Sequence, residues 1–61
     1  MTVNEIIKMI RKAGCRKIRE GRNHEIWLNP ATGVTFPVPR HGGKELPTGN
    51  ANKILNDAGI K

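Results

Sequence analysis

The chain is poor in features that identify several large classes of protein. Its 61 residues include a single cysteine, Cys15, so no disulfide can form within the chain, and a disulfide-stabilised secreted scaffold is excluded. No apolar run approaches the roughly 18 residues that a membrane-spanning helix requires, and no charged start leads into a signal-peptide-like apolar segment. We therefore expect a cytoplasmic protein.

Aromatic residues and metal-binding patterns are scarce as well. Trp27 and Phe36 are the only aromatic residues, whereas RNA-binding sheets that read bases usually present several. We expect Trp27 to lie in the core, and any recognition of RNA to depend mainly on phosphates and shape. The histidines, the cysteine and the irregularly spaced carboxylates match no zinc-binding pattern, so we predict neither a metal nor another cofactor.

Acidic residues are outnumbered by basic ones. Five Asp and Glu stand against eleven Lys and Arg, which gives a net charge of +6 and a pI near 10.3. Such a charge is typical of proteins that bind polyanions, and nucleic acid is the leading partner. A chain of this length buries only about 60% of the surface that it exposes when unfolded. We expect one domain of marginal stability, residues 1–61.

The first half of the chain predicts a helix followed by strands. Thr2 and Glu5 form a capping-box pattern, and apolar residues then recur on one helical face until a glycine, which predicts a helix over about residues 3–13. Residues 15–20 are bracketed by glycines and predict a short strand. Residues 24–28 contain β-favouring side chains and predict a second strand.

The second half predicts one more strand and one more helix. Val34, Phe36 and Val38 recur at every second position and predict a third strand. Because it contains two prolines, we expect this strand to be short, to lie at an edge of the sheet or to end early. Four apolar residues then recur at helical spacing: Ala51, Ile54, Leu55 and Ala58. We expect a second helix there, with Thr48 or Asn50 as its N-cap.

The order of these elements predicts the fold class. Three short strands are not stable alone, so both helices should cover one face of the sheet and leave the other face partly open. The predicted fold is α+β: a two-layer sandwich in the order helix, three-stranded antiparallel sheet, helix.

The two histidines are the candidates for chemistry. Imidazole gives or takes a proton near neutrality, and histidines among cations suggest phosphate chemistry such as RNA cleavage by attack of a 2′-hydroxyl on phosphorus. His24 begins the second predicted strand beside a loop with Arg22, and His41 lies in the glycine-containing segment 40–44. The alternative is that His24 is an ordinary strand histidine and that segment 40–44 is a flexible, solubilising loop.

Several strings, in their order and spacing, make the chain resemble the HicA toxins of bacterial and archaeal toxin–antitoxin pairs. They are Ala13-Gly14 after the first helix, His24 with Trp27 three positions later, Val38 to His41, Lys44 to Leu46, and the closing run from Ile54 to Ile60. The resemblance covers nearly the whole chain. It implies a fold like the double-stranded RNA-binding domain and a metal-independent ribonuclease that acts on mRNA.

The resemblance also implies a catalytic residue and a partner. The catalytic histidine of the family belongs to a Gly-Ser-His motif and falls on His24, although Arg22-Asn23 replaces Gly-Ser in this chain. A HicB-like antitoxin would bind the toxin and block its active region, and an acidic surface on it would suit the +6 charge. We expect the free chain to be a monomer and the complex with the antitoxin to be a larger assembly.

We therefore expect His24 to be the general acid or base and His41 to be a candidate assisting group. The predicted contacts to the RNA backbone are Arg22, Arg40, Lys44, Lys17 and Arg19. Two other functions stay open on the sequence alone. One is a non-catalytic RNA-binding module with structural histidines, and the other is a protein that only binds an acidic protein partner.

Overall fold

The computed structural model describes residues 1–60, so the predicted domain end at position 61 lies outside the described residues. The elements are α1 (Val3–Lys12), β1 (Arg16–Glu20), β2 (His24–Asn29), β3 (Val34–Pro39) and α2 (Thr48–Asp57). The strands form one antiparallel sheet in the order β1-β2-β3. This confirms the predicted α+β class, and the arrangement is consistent with a double-stranded RNA-binding-domain-like fold.

Both helices pack on the same face of the sheet, as predicted. The most completely buried large side chains come from α1, β2 and β3: Val3, Ile6, Ile10, Trp27, Phe36 and Val38. Trp27 and Phe36 are paired neighbours on β2 and β3, and Trp27 is only 1% exposed. Full burial of an apolar side chain stabilises a fold by about 1.5–3 kcal/mol. The helix-covered face of the sheet therefore supplies much of the stability.

Cys15 belongs to this core. It is buried just before β1, and its thiol donates a weak hydrogen bond to the carbonyl oxygen of Ala58, with 3.8 Å between the atoms. Burial raises the pKa of the Cys15 thiol above its usual range, which disfavours the reactive thiolate. Cys15 thus acts as a small buried hydrophobe.

The two helices begin differently. The Thr2 hydroxyl accepts from the Glu5 amide at 3.3 Å, and the Glu5 carboxylate accepts from the Thr2 amide at 2.7 Å, which is the predicted capping box. Hydrogen bonding to the carboxylate, first from the Thr2 amide and then from the Thr2 side chain, lowers the pKa of Glu5. No side chain caps α2, so the prediction of Thr48 or Asn50 as its cap is wrong. Pro47 takes the N-cap position, and Thr48 and Asn50 already lie within the helix.

A β-bulge interrupts the pairing of β1 with β2. Lys17 pairs with Trp27 and Arg19 pairs with Ile26, so Ile18 has no partner in the register. Because the extra residue shifts the alternation of side chains, Lys17 lies on the helix-covered face together with Trp27. Arg19 lies on the open face together with Ile26.

Each edge of the sheet has its own character. All five residues of β1 are exposed, and Ile18 is 49% exposed. β3 forms the opposite edge, which is one of the three predicted alternatives, and contains Pro37 and Pro39, which have no N–H to donate to a further strand. Neither helix in residues 1–60 has the length and apolar character needed to cross a bilayer.

Candidate functional site

His24 is the first residue of β2, and its neighbour across the sheet is Pro39 of β3. It is exposed, whereas Trp27, three positions along the strand, is buried under the helices. Side chains alternate between the two faces of a strand, so His24 lies on the open face. His24 and Trp27 therefore lie on opposite faces of the sheet, and the prediction that Trp27 lies in the core is confirmed.

The loop before His24 is a tight turn. The amide of Gly21 donates to the carbonyl oxygen of His24 at 2.7 Å. A Cβ atom at position 21 would lie 3.1 Å from that same oxygen, closer than side chains usually approach. Glycine at this position therefore allows the loop to close directly behind the histidine.

Arg40 holds this loop in place through hydrogen bonds. Its Nη1 donates to the carbonyl oxygens of Gly21 at 3.0 Å and Arg22 at 3.3 Å, and its backbone amide donates to the carbonyl of Asn23 at 3.2 Å. Its Nη2 lies 3.5 Å from a carboxylate oxygen of Glu20. One arginine thus satisfies three successive carbonyls of the segment that leads into the candidate catalytic strand.

Ion pairs connect Arg40 to the helix-covered side of the sheet. Lys17 Nζ lies 2.8 Å from a Glu20 carboxylate oxygen and 3.7 Å from one of Glu25. The hydrogen bond and charge of Lys17, followed by the charge of Arg40, lower the pKa of Glu20. Glu20 in turn raises the pKa of Lys17. The bulge makes this cluster possible, because it puts Lys17 and Glu20 on one face despite their odd spacing.

The cluster continues to the buried tryptophan. The indole Nε1 of Trp27 donates to a Glu25 carboxylate oxygen at 3.1 Å. The guanidinium carbon of Arg11, from α1, lies 5.5 Å from the centre of the indole ring, within the range of a cation–π contact. A polar chain therefore runs from α1 across the sheet to the loop before β2.

His41 lies in a different setting, just after β3. Its carbonyl oxygen accepts from the amide of Lys44 at 3.0 Å, which closes a turn. The carbonyls of Gly42 and Lys44 then accept from the amides of Asn4 and Val3 at 2.9 Å each. These amides belong to the first turn of α1, where helices leave N–H groups without partners. Segment 40–44 is thus a turn docked on α1, not a loose loop.

A groove opens beside His24, between the edge strand β3 and helix α2. It has a volume of about 190 Å³. Besides His24, its lining residues are Pro37, Pro39, Leu46, Asn50, Lys53 and Ile54. The sequence reasoning missed Asn50 and Lys53 as neighbours of His24. Their spacing at i and i+3 puts them on one side of α2, but only the packing of α2 against β3 brings that side to the histidine.

Three predicted RNA contacts lie around the histidines with their cationic groups unpaired. Arg19 shares the open face with His24, Arg22 lies in the loop before it, and Lys44 ends the turn that begins at His41. Within residues 1–60, the side chains of Arg19, Arg22 and Lys44 make no ion pair or hydrogen bond. These charges are available to an anionic ligand.

The other two predicted contacts are engaged within the chain. Lys17 lies on the helix-covered face, where it pairs with Glu20, and Arg40 binds the loop carbonyls. The structure therefore separates the predicted cations into an unpaired group and a group that holds the site together. Among the described residues 1–60, no three His, Cys, Asp or Glu side chains come together as a metal site would require.

Comparison with known protein families finds one that matches nearly the whole chain. Residues 3–60 match the family described as the HicA toxin of bacterial toxin–antitoxin systems. No curated protein and no solved structure matches the chain. The match covers almost the whole sequence, from the first residue of α1 to the residues that follow α2. The chain therefore belongs to the HicA toxin family, whose members act in toxin–antitoxin systems.

Proposed function

We propose that the chain is an endoribonuclease that cleaves mRNA, with His24 as the general acid or base. The observation that carries this proposal is the setting of His24. It is exposed at the start of β2, behind a loop that Arg40 fastens and beside a groove. It also stands where the resemblance to the family puts the catalytic histidine. Proton transfer to a bound substrate requires a solvent-accessible imidazole, and the hydrogen bonds of the preceding loop hold the backbone that presents it.

The proposed reaction is transesterification within the RNA. The 2′-hydroxyl oxygen attacks the adjacent phosphorus, a base takes its proton, and the bond from phosphorus to the 5′-oxygen breaks as an acid protonates that oxygen. The products are a 2′,3′-cyclic phosphate, which water can open to a monophosphate, and a free 5′-hydroxyl. A neutral imidazole serves as the base, and an imidazolium serves as the acid.

His24 supplies one of these two proton transfers. We keep His41 as the candidate group for the other, because Pro39, the cross-strand partner of His24 and the last residue of β3, lies two positions before it. The alternative is that a water molecule performs this second proton transfer. Unlike the attacking and leaving oxygens, the phosphoryl oxygens exchange no proton and need only positive charge.

The unpaired cations are suited to stabilising the negative charge on the phosphoryl oxygens. We propose that Arg19, Arg22 and Lys44 contact the RNA backbone, because each lies near one of the histidines and none is paired within residues 1–60. Arg40 and Lys17 contribute to the positive field, and Arg40 also positions the loop before His24. Backbone contacts of this kind carry little sequence information.

The direct test compares the parent chain with His24→Ala on single-stranded RNA in the presence of a chelator. We expect the parent to cut and to leave cyclic or 2′/3′ phosphate ends, and we expect the variant not to cut. RNA with a 2′-deoxy sugar at the cut position should resist, because it lacks the attacking hydroxyl. Undiminished cleavage by a folded His24→Ala protein would refute the assignment. Salt-sensitive binding without any cleavage would instead identify a non-catalytic RNA-binding module.

Family membership implies an antitoxin partner. We propose that a HicB-like antitoxin inhibits the chain by covering His24 and its unpaired cations with an acidic surface. The charge of +6 favours rapid association with such a surface. Antitoxin and RNA should then compete for the chain, and the association rate of the antitoxin should fall steeply with ionic strength. Simultaneous binding of both partners would contradict this mode of inhibition.

A further inference from the structure

The groove beside His24 differs from the rest of this basic surface because its walls are largely apolar. Pro37 and Pro39 line it from β3, and Ile54 lines it from α2. A phosphate would lose hydration against these proline and isoleucine walls. An uncharged planar ring gains contact there, since it can lie against the proline rings and the branched side chain.

The size of the groove restricts what it can hold. Its volume of about 190 Å³ equals that of about six water molecules in the liquid. Typical small-molecule sites are larger, roughly 300–1,000 Å³. The groove therefore suits a single planar ring system.

Two polar side chains of α2 complete the groove. The carboxamide of Asn50 has both donors and an acceptor, and it makes no hydrogen bond within residues 1–60. Carboxamides of this kind pair well with the edges of bases. Lys53 Nζ lies 3.3 Å from a carboxylate oxygen of Asp57, but the Lys53 side chain is 76% exposed, so this pair is weak.

We propose that this groove binds one nucleobase of the RNA, next to the phosphate on which His24 acts. Asn50 reads the edge of the base, and Lys53 attracts a neighbouring phosphate. Asn50 is thus a specificity-determining residue, and cleavage has a base preference at one position beside the cut. This inference rests on the proposed function for its link to cleavage, whereas binding of the base itself can be tested separately.

The first test measures binding without cleavage. Each of the four nucleoside 3′-monophosphates, and ribose 5-phosphate as a probe without a base, is titrated into ¹⁵N-labelled chain. We expect at least one nucleotide to shift the amide signals of Leu46, Asn50 and Lys53 at concentrations where ribose 5-phosphate does not. Equal shifts with ribose 5-phosphate, or no nucleotide effect at these amides, would overturn the proposal.

Variants of α2 sharpen this test. Asn50→Ala should weaken binding of the preferred nucleotide about fivefold, which is the loss expected for one hydrogen bond. Asn56→Ala is the matched control, because Asn56 is exposed on the same helix but does not line the groove. Lys53→Gln should weaken the binding of all four nucleotides equally. Equal weakening by Asn50→Ala and Asn56→Ala would contradict a role of Asn50 in reading the base.

The second test measures cleavage on RNA of randomised sequence, with the cut positions mapped. The parent and Asn56→Ala should prefer one base at one position, and Asn50→Ala should reduce that preference about fivefold. Cleavage by the parent without any base preference would overturn the groove proposal and leave the ribonuclease intact. Nucleotide binding at the groove without cleavage of any RNA would support the groove proposal and refute the ribonuclease.

Discussion

The two histidine-bearing segments of this chain are held by different parts of the protein. The loop before His24 presents three carbonyls to Arg40, whose side chain satisfies two of them. The turn after His41 presents two carbonyls to backbone amides of α1. A substitution at Arg40 can remove the two side-chain bonds of the first attachment, whereas the second attachment uses backbone groups only. The geometry of His24 is therefore the more sensitive to mutation.

The largest expected effect separates the histidines themselves. His24→Ala should lower kcat about 10²- to 10⁴-fold, the usual contribution of a general acid or base. His41→Ala should lower kcat less, because His41 does not line the groove beside which cleavage is proposed. Single-turnover kinetics on one RNA would measure both losses. Equal losses would break the distinction and indicate that the two histidines work as an acid–base pair.

Arg40 gives the next largest effect. Arg40→Gln removes the side-chain donors to Gly21 and Arg22, and we expect kcat to fall about tenfold to hundredfold through misplacement of His24, with a much smaller change in KM. Arg40→Lys keeps the charge but loses the paired donors, so kcat should fall nearly as far.

This pair of variants also tests the role that the sequence predicted for Arg40. Full activity of Arg40→Lys, together with a raised KM for Arg40→Gln, would mean that its charge contacts RNA and that its bonds to the loop matter little. Amide exchange at Gly21 gives an independent measure of how firmly the loop is held, since the Gly21 amide donates to His24.

The turn after His41 should be sensitive to the size of the side chain at position 42. A Cβ atom at Gly42 would collide with the carboxamide of Asn4. We expect Gly42→Ala to reduce the free energy of unfolding by about 1 kcal/mol, because the Asn4 side chain must move aside. Such a change lowers Tm by about 4–8 °C in a domain of this size. Asn4→Ala added to Gly42→Ala should restore most of the loss, and failure to do so would contradict the collision with Asn4 as its cause.

The smallest effect concerns the carboxyl group that pairs with Arg40. Lys17 and Arg40 lower the pKa of Glu20, and Lys17 contributes most. A lowered pKa in the folded state stabilises the fold above the ordinary pKa of Glu20 and ceases to do so as pH falls through the lowered value. Lys17→Met should therefore raise the pKa of Glu20 more than Arg40→Gln does, as measured by NMR titration. The reverse order would make Arg40 the dominant partner. High salt should weaken both effects, since Glu20 is exposed.

Local patterns were enough to predict most of the fold. The capping box at Thr2, the helical spacing of apolar residues and the alternation in β3 each depend on neighbours a few positions apart. The cap of α2 was mispredicted because Thr48 and Asn50 are both favourable caps, and only the backbone of Pro47 decides where the helix starts. The bulge at Ile18 was not predicted, since no glycine or proline marks it.

The site was predictable only in part, for a physical reason. His24 could be proposed from its type, its position beside a basic loop and the resemblance to the family, and its role stays a prediction. The groove could not, because Asn50 and Lys53 come from an element more than twenty residues later and reach His24 only through the packing of α2 on β3. The bonds from Arg40 to the loop carbonyls likewise join segments 18 and 19 residues apart.

The two edges of the sheet have a consequence for how the protein behaves at high concentration. A three-stranded sheet with one uncovered face is a ready template for growth into fibres, since a free edge can accept a strand from another molecule. Here β1 is charged at four of its five positions and interrupted by the unpaired Ile18, and β3 contains two prolines. Both edges therefore resist further pairing. The chain should stay free of amyloid-like polymers even when it accumulates without a partner.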